Sequence, residues 1–295
     1  MRIVITGSNG LLGQKIVRIC LDRGLNFIAT SKGDNRNPDC PEHLYFPMDI
    51  TNKLEINALF ESYYPTHILH TAALTNVDYC EAHPEECEEV NVQATKLLFA
   101  AAVQFEAHFQ LLSTDFVFDG QQGNYRETDA VNPLSVYARS KVHAEEVLQG
   151  AAHTNWSIVR TIIVYGEGHQ LSRSNIVLWA IESLQAGKEM TIVNDQFRMP
   201  TWADDLAWAC LEIIRREKTG IFHISGPELV SIYALVTRIA LFYGLPTDGI
   251  QPVSSTTLSQ AAARPPKTGF DLTKAREALG YAPLTIEETL ALLSR

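Results

Sequence analysis

A doubly wound parallel α/β sheet is the fold class this sequence predicts, and three observations carry it. Short apolar runs alternate with longer amphipathic ones through the first half of the chain. The first run opens directly into a glycine-rich segment that leads into a helical pattern. After about Tyr165 the rhythm turns irregular, which predicts a smaller, interleaved C-terminal lobe.

Taken in order, residues 2–6, 27–30, 68–71, 109–113 and 158–160 are apolar stretches of strand length. Residues 11–23, 54–63, 91–103 and 135–148 carry helical periodicity between them. Such alternation demands parallel pairing through right-handed crossovers, with helices on both faces. Further on, helices are expected at 175–184, 204–216 and 233–243, and strands at 190–193 and 221–225. Two more helices are expected after Arg264-Pro265-Pro266.

With 46% hydrophobic and 20% charged residues, a chain of 295 residues can bury a sizeable core. A net charge of −10 disfavours a nucleic-acid partner, which needs a basic surface. The five cysteines are scattered with no C-x-x-C pair. That argues against a disulfide framework or a metal site and fits a reducing compartment. No run approaches the roughly 18 apolar residues of a membrane span, so the cytoplasm is the expected location.

The segment Thr6-Gly7-Ser8-Asn9-Gly10-Leu11-Leu12-Gly13 follows a strand and opens a helix. Glycines there allow a tight turn and a close approach of backbone to a pyrophosphate, and the helix N-terminus presents unpaired N–H groups. A dinucleotide cofactor is therefore expected on Gly7, Asn9, Gly10, Leu11, Leu12 and Gly13. The second strand runs into Ser31-Lys32-Gly33-Asp34, with Arg36 just beyond. Ser31, Lys32 and Arg36 suit a ribose 2′-phosphate, which favours NADPH, while Asp34 keeps NADH open. Asp49 and Ile50 could contact the adenine, or Asp49 could cap the helix that follows. Ala72 and Ala73 are small enough to let the backbone lie against the cofactor, and core packing would use alanine equally.

Tyr137 and Lys141 stand four residues apart in an expected helix and so share a face. A phenol titrates near pH 10, and a neighbouring ammonium favours its anion. Thr114 ends a strand at the carboxyl edge of the sheet, where sites form in open α/β folds. Thr114, Tyr137 and Lys141 together predict an acid–base centre.

The chain resembles an extended short-chain dehydrogenase/reductase, a Rossmann-type fold, and within it the dTDP-4-dehydrorhamnose reductase family. The resemblance rests on Thr6-Gly7-x-x-Gly10-x-x-Gly13, on Ser113-Thr114-Asp115-Phe116-Val117-Phe118-Asp119-Gly120 and on Pro133-Leu134-x-Val136-Tyr137-x-x-Ser140-Lys141. Arg160-Thr161-x-x-Val164-Tyr165-Gly166, Asp195-Gln196-x-Arg198-x-Pro200-Thr201 and Arg264-Pro265-x-Lys267-x-x-x-Asp271 extend it across nearly the whole chain. It implies hydride transfer to the C4 ketone of a nucleotide-linked 4-keto-6-deoxy sugar. Tyr137 would donate the proton, Lys141 would lower its pKa and hold the nicotinamide ribose, and Thr114 would orient the ketone oxygen. Asp115, Phe116 and Ile163 would line the substrate site, with Arg198 and Arg264 as candidates for the substrate diphosphate. Residues 1–165, with the strand near 221–225, would form the dinucleotide-binding domain and 166–295 mainly the substrate-binding lobe.

Two positions depart from the family pattern. Ile163 replaces a tryptophan placed to pack on the substrate sugar, and the Phe197-Arg198 pair differs from a glycine-containing loop. Both sit where substrate identity is read, so a related sugar-nucleotide epimerase or another keto-sugar reductase stays open. The beta subunit of methionine adenosyltransferase also resembles this family, which keeps a non-catalytic cofactor-binding regulatory subunit open. A homodimer through helices flanking the sheet is compatible with the sequence. Arg160 is expected to anchor an interlobe network, and Asp204 or Asp205 to cap the following helix.

Overall fold

Successive residues of a strand point to opposite faces, so a strand that is apolar throughout must be covered on both. The first strand is of this kind: Ile3 and Ile5 face one helical layer and Val4 the other, and all three are fully buried. In the computed structural model, which describes residues 1–258 and 260–293, this strand lies in the interior of a seven-stranded parallel sheet. The strands of that sheet are β1 (Arg2–Thr6), β2 (Asn26–Ser31), β3 (Tyr45–Pro47), β4 (His67–His70), β5 (His108–Thr114), β6 (Trp156–Thr161) and β7 (Gly220–His223). Their spatial order is 7-6-5-4-1-2-3. Chain direction across the sheet reverses between β1 and β4, which places the topological switch point there.

Helices Leu11–Asp22 and Ala203–Arg215 pack on one face through Ile16, Val17, Leu206 and Ile213. Helices Lys53–Tyr63, Ala94–Gln104 and Val136–Gln149 cover the other through Leu59, Leu98 and Leu148. Two expected helix starts differ. The helix expected from residue 91 begins as a π-helical turn, Glu89–Gln93. Asp204 and Asp205 lie inside the first turn of their helix rather than capping it, since Trp202 holds the cap position. There Asp204 pairs with Lys15 at 3.0 Å, and Asp205 accepts the Leu284 N–H at 2.9 Å.

A separate apolar cluster sits beside the sheet, built from helices Ile176–Gln185, Ile232–Phe242 and Ile286–Leu292 and strand Met190–Val193. Chain crosses between the two cores more than once. Strand Gly123–Tyr125 pairs with Lys267–Phe270 in a small four-stranded sheet. Short strands of this kind carry too few residues to register as periodic patterns. Among the described residues no helix is long and apolar enough to cross a membrane.

Candidate active site

The glycine loop lies at the switch point. Gly7 adopts φ 71°, and a Cβ there would come within 2.7 Å of the Ala72 backbone nitrogen. A Cβ on Gly13 would stand 2.4 Å from the Gly7 carbonyl oxygen, so the helix can start this close to β1 only without a side chain. Ser8 Oγ is buried with no hydrogen-bond partner among the described residues. An orphaned hydroxyl beside bare helix N–H groups suits a phosphate, so the loop fits a dinucleotide. Gly10 is the cap residue of this helix, Leu11 opens it, and Leu12 is buried in the core. Those two leucines can therefore meet a cofactor through their backbone.

Asn9 organises the second strand's loop. Its backbone N–H donates to Ser31 Oγ at 3.0 Å, its side chain donates to the Asp34 carbonyl at 2.8 Å, and its Oδ1 accepts the Arg36 N–H at 2.8 Å. Tyr45 on β3, which the sequence reading passed over, props the same loop by donating to the Gly33 carbonyl at 2.7 Å. A cleft of about 380 Å³ opens here, lined by Gly7, Ser31, Lys32, Asp49, Ile50, Ala72 and Ala73 among others. Seven residues expected at the cofactor thus share one cavity. Lys32 pairs with Asp49 at 2.8 Å on its rim. Asn52, not Asp49, caps the next helix by accepting the Leu54 N–H, which disposes of the capping alternative.

Ser135 starts the helix Val136–Gln149 by accepting the Ala138 N–H at 3.2 Å. One turn apart, Tyr137 and Lys141 then fall on its buried face, 9% and 3% exposed. Burial pushes the Tyr137 phenol well above its ordinary range, and the Thr114 hydroxyl opposes that shift. The sequence argument had the Lys141 charge lowering this group; in the structure desolvation of the anion dominates, and the charges that bear on the phenol come from Asp115, Cys80 and Arg173. Burial also lowers Lys141 to about 8, against the carboxylate of Glu145, which favours the ammonium. Glu145 belongs to a buried network: it accepts from Ser113 at 2.5 Å and from both Arg160 Nε and Nη2, at 2.9 and 2.6 Å. Arg160 also meets His223 on β7 at 3.4 Å, which ties β5, β6 and β7 together behind the site.

Asn91, in the π-helical turn, was not singled out from the sequence. It bonds both the N–H and the carbonyl of Leu74, at 2.8 and 3.0 Å, and donates to Ser140 Oγ at 2.9 Å. It therefore fixes the loop after β4 against the helix Val136–Gln149, and π-turns occur frequently at functional sites. His70 is buried between Thr6 Oγ1 at 2.7 Å and Thr95 Oγ1 at 3.2 Å, and desolvation lowers it to about 3. That environment keeps it neutral.

On the substrate side the picture differs from the expectation. Asp115 is buried beside Thr114, accepts hydrogen bonds from Thr114 and Thr268, and faces Arg198 Nε at 3.7 Å. Burial raises its carboxyl against the pull of Arg198. Arg198, expected on a diphosphate, is itself 2% exposed and donates to the carbonyls of Phe197, Pro265 and Pro266. Its guanidinium lies 5.5 Å from the Phe116 ring, which in turn meets Tyr137 edge-on at 6.2 Å. Arg198 thus builds the wall of the site with its donors engaged. Arg264, the other diphosphate candidate, pairs with Asp78 at 2.6 Å. Ile163 adopts φ 37°, a left-handed conformation that a β-branched residue rarely takes. Thr201 holds it there, donating its N–H to the Ile163 carbonyl at 3.1 Å and its hydroxyl to the Ile162 carbonyl at 2.6 Å.

A seven-stranded parallel sheet with this glycine loop and this threonine, tyrosine and lysine define an extended short-chain dehydrogenase/reductase. Within that class the chain belongs to the RmlD substrate binding domain family, whose model matches residues 1–294. A probable low-salt glycan biosynthesis reductase, Agl14, of Haloferax volcanii is 30% identical over 99% of this chain and 97% of its own length. The methionine adenosyltransferase 2 subunit beta of Danio rerio is 30% identical over 98% of this chain and 87% of its own. A dTDP-4-dehydrorhamnose reductase structure from Clostridium acetobutylicum superposes with a TM-score of 0.87 at 29% identity, covering 98% of this chain and 97% of that one. Another, from Bacillus anthracis in complex with NADP, gives 0.83 at 26% identity over 99% and 98%.

Proposed function

We propose that this protein is a cytoplasmic, NADPH-dependent reductase of the C4 ketone of a nucleotide-linked 4-keto-6-deoxy sugar. What supports the reading is that Tyr137 and Lys141 share the buried face of one helix, with Thr114 at the end of β5 against the phenol, in a chain whose glycine loop and cleft fit a dinucleotide. The residues that would hold the cofactor are the glycine loop, Lys32 and Arg36 at the ribose phosphate, Asp49, Ile50, Ala72 and Ala73 along the cleft, and Lys141 at the nicotinamide ribose. When bound, the nicotinamide supplies the hydride.

The chain's own residues handle the proton. Burial keeps Tyr137 in the acid form that can give a proton to the developing alkoxide. The Thr114 hydroxyl donates to Asp115 Oδ1 at 3.2 Å, and rotation about one bond would turn it to the ketone oxygen. The Lys141 ammonium then favours the phenolate that proton transfer leaves.

The test is NADPH oxidation against a panel of 4-keto sugar nucleotides, with the Tyr137→Phe protein as control. Turnover that Tyr137→Phe abolishes supports the reading. Conversion of a sugar nucleotide without net oxidation assigns an epimerase instead. A second reading rests on the likeness to methionine adenosyltransferase beta subunits: a cofactor-binding regulatory subunit. No turnover of any sugar nucleotide, together with a stable complex with an enzyme partner, would favour it.

A further inference from the structure

We infer that Arg173, exposed on the segment 166–175, is the residue that engages the diphosphate of a nucleoside-diphosphate substrate across the mouth of the site. The inference rests on the sugar-nucleotide reading above and adds a residue that no motif of the sequence marked.

Segment 166–175 runs as a strap from the helix after the glycine loop to the loop after β4. At one end Gln14, on the helix that follows the glycine loop, clamps His169: the amide donates to the His169 carbonyl at 2.7 Å and accepts the His169 N–H at 2.7 Å. Asn175 donates to the Gly166 carbonyl at 2.8 Å and closes the segment on itself. Between these anchors Arg173 reaches over to Thr75, Nη2 lying 2.9 Å from the hydroxyl and 3.4 Å from the carbonyl. Thr75 is two residues beyond Ala73, which lines the cofactor cleft. The strap therefore joins the cofactor helix to the loop after β4, and the Arg173 charge bears on Tyr137 beneath it.

The partners of the three arginines near the site separate them. Arg198 is buried against Asp115 and three carbonyls, and Arg264 is paired with Asp78. Recruiting either to a phosphate means breaking a contact with a carboxylate. Among the described residues Arg173 bonds only Thr75, which is neutral. A diphosphate can take its place at little cost, because a charge-assisted, two-pronged contact is stronger than one to a hydroxyl.

Calorimetric titration of the full chain with dTDP and UDP, with NADPH as an internal control, tests this. Arg173→Ala should weaken nucleoside-diphosphate binding by roughly tenfold or more, the loss of one charge-assisted contact. Arg173→Lys should recover part of that loss, and NADPH affinity should not change. With a turned-over sugar nucleotide, Arg173→Ala should raise KM by more than it changes kcat, and Arg173→Lys should return KM toward wild type. If the wild type binds a nucleoside diphosphate and Arg173→Ala binds it equally well, the inference is overturned while the sugar-nucleotide reading stands. If the wild type binds no nucleoside diphosphate, both fall together.

Discussion

Glu145 and Arg160 oppose each other at 2.6 Å with 2% and 3% of their side chains exposed. The carboxylate also takes the Ser113 hydroxyl, so one acid locks the helix Val136–Gln149 to β5 and β6. Removing one partner of a buried pair leaves the other charge uncompensated, a loss of about 3–5 kcal/mol. Glu145→Ala should lose about that much in urea unfolding. Glu145→Gln, which keeps shape and hydrogen bonding, should lose less. An alanine variant that unfolds at the wild-type midpoint would show that the pair does not hold this face together.

Lys141 gives a pH dependence whose sign differs between stability and activity. Its folded value of about 8 lies below the ordinary 10.5, so between those values the unfolded chain binds the extra proton. The stability contribution of Lys141 is therefore present above about 10.5 and lost as pH falls through about 8. Activity runs the other way in the proposed mechanism, where the ammonium is the useful form. The kcat/KM for cofactor should fall as pH rises through about 8, and Glu145→Gln should move that limb to lower pH by withdrawing a charge that favours the ammonium. A wild-type profile that stays flat to about pH 10 would remove Lys141 from the mechanism.

Tyr137 is held protonated by burial, and only its hydroxyl can act as the acid in the proposed mechanism. Tyr137→Phe keeps the ring against Phe116 and should cut kcat by roughly 10²–10⁴ while cofactor affinity is retained. Thr114→Val removes the hydroxyl that opposes the upward shift and should also lower kcat. Single-turnover kinetics with each variant separate loss of chemistry from loss of binding. Normal turnover by Tyr137→Phe would mean that another group delivers the proton.

The parts legible in the sequence were those with a periodic or fixed-spacing signature. Strand Arg2–Thr6 reads as a continuous apolar run because both its faces are covered, and Tyr137 and Lys141 share a face because four residues make about one helical turn. The strand Tyr45–Pro47 has three residues and no such pattern, so the prop that Tyr45 gives the loop after β2 was invisible. Asn91 was invisible for another reason: its bonds to Leu74 and Ser140 join residues 17 and 49 positions away, and no local rule encodes that. Arg198 shows the limit of residue-type reasoning. An arginine's fork fits a phosphate and a set of backbone carbonyls equally, and only the packing around Pro265 and Pro266 decides between them.

In the proposed reading, cofactor preference turns on the Lys32–Asp49 pair at the rim of the cleft. The lysine side chain is 81% exposed, so solvent screens the pair and little holds Lys32 back from a 2′-phosphate. Arg36 is anchored nearby by its backbone N–H on Asn9 and can add a second cation. The Lys32→Ala/Arg36→Ala double variant should weaken NADPH binding by roughly tenfold or more, since charge-assisted contacts to the phosphate are lost. NADH binding should change little, because it offers no phosphate at that position. Asp49→Asn should do the opposite for NADPH by releasing Lys32 from its competitor. Fluorescence titration of both cofactors against the three proteins decides the matter: equal weakening of NADPH and NADH in the double variant would place the discrimination elsewhere in the cleft.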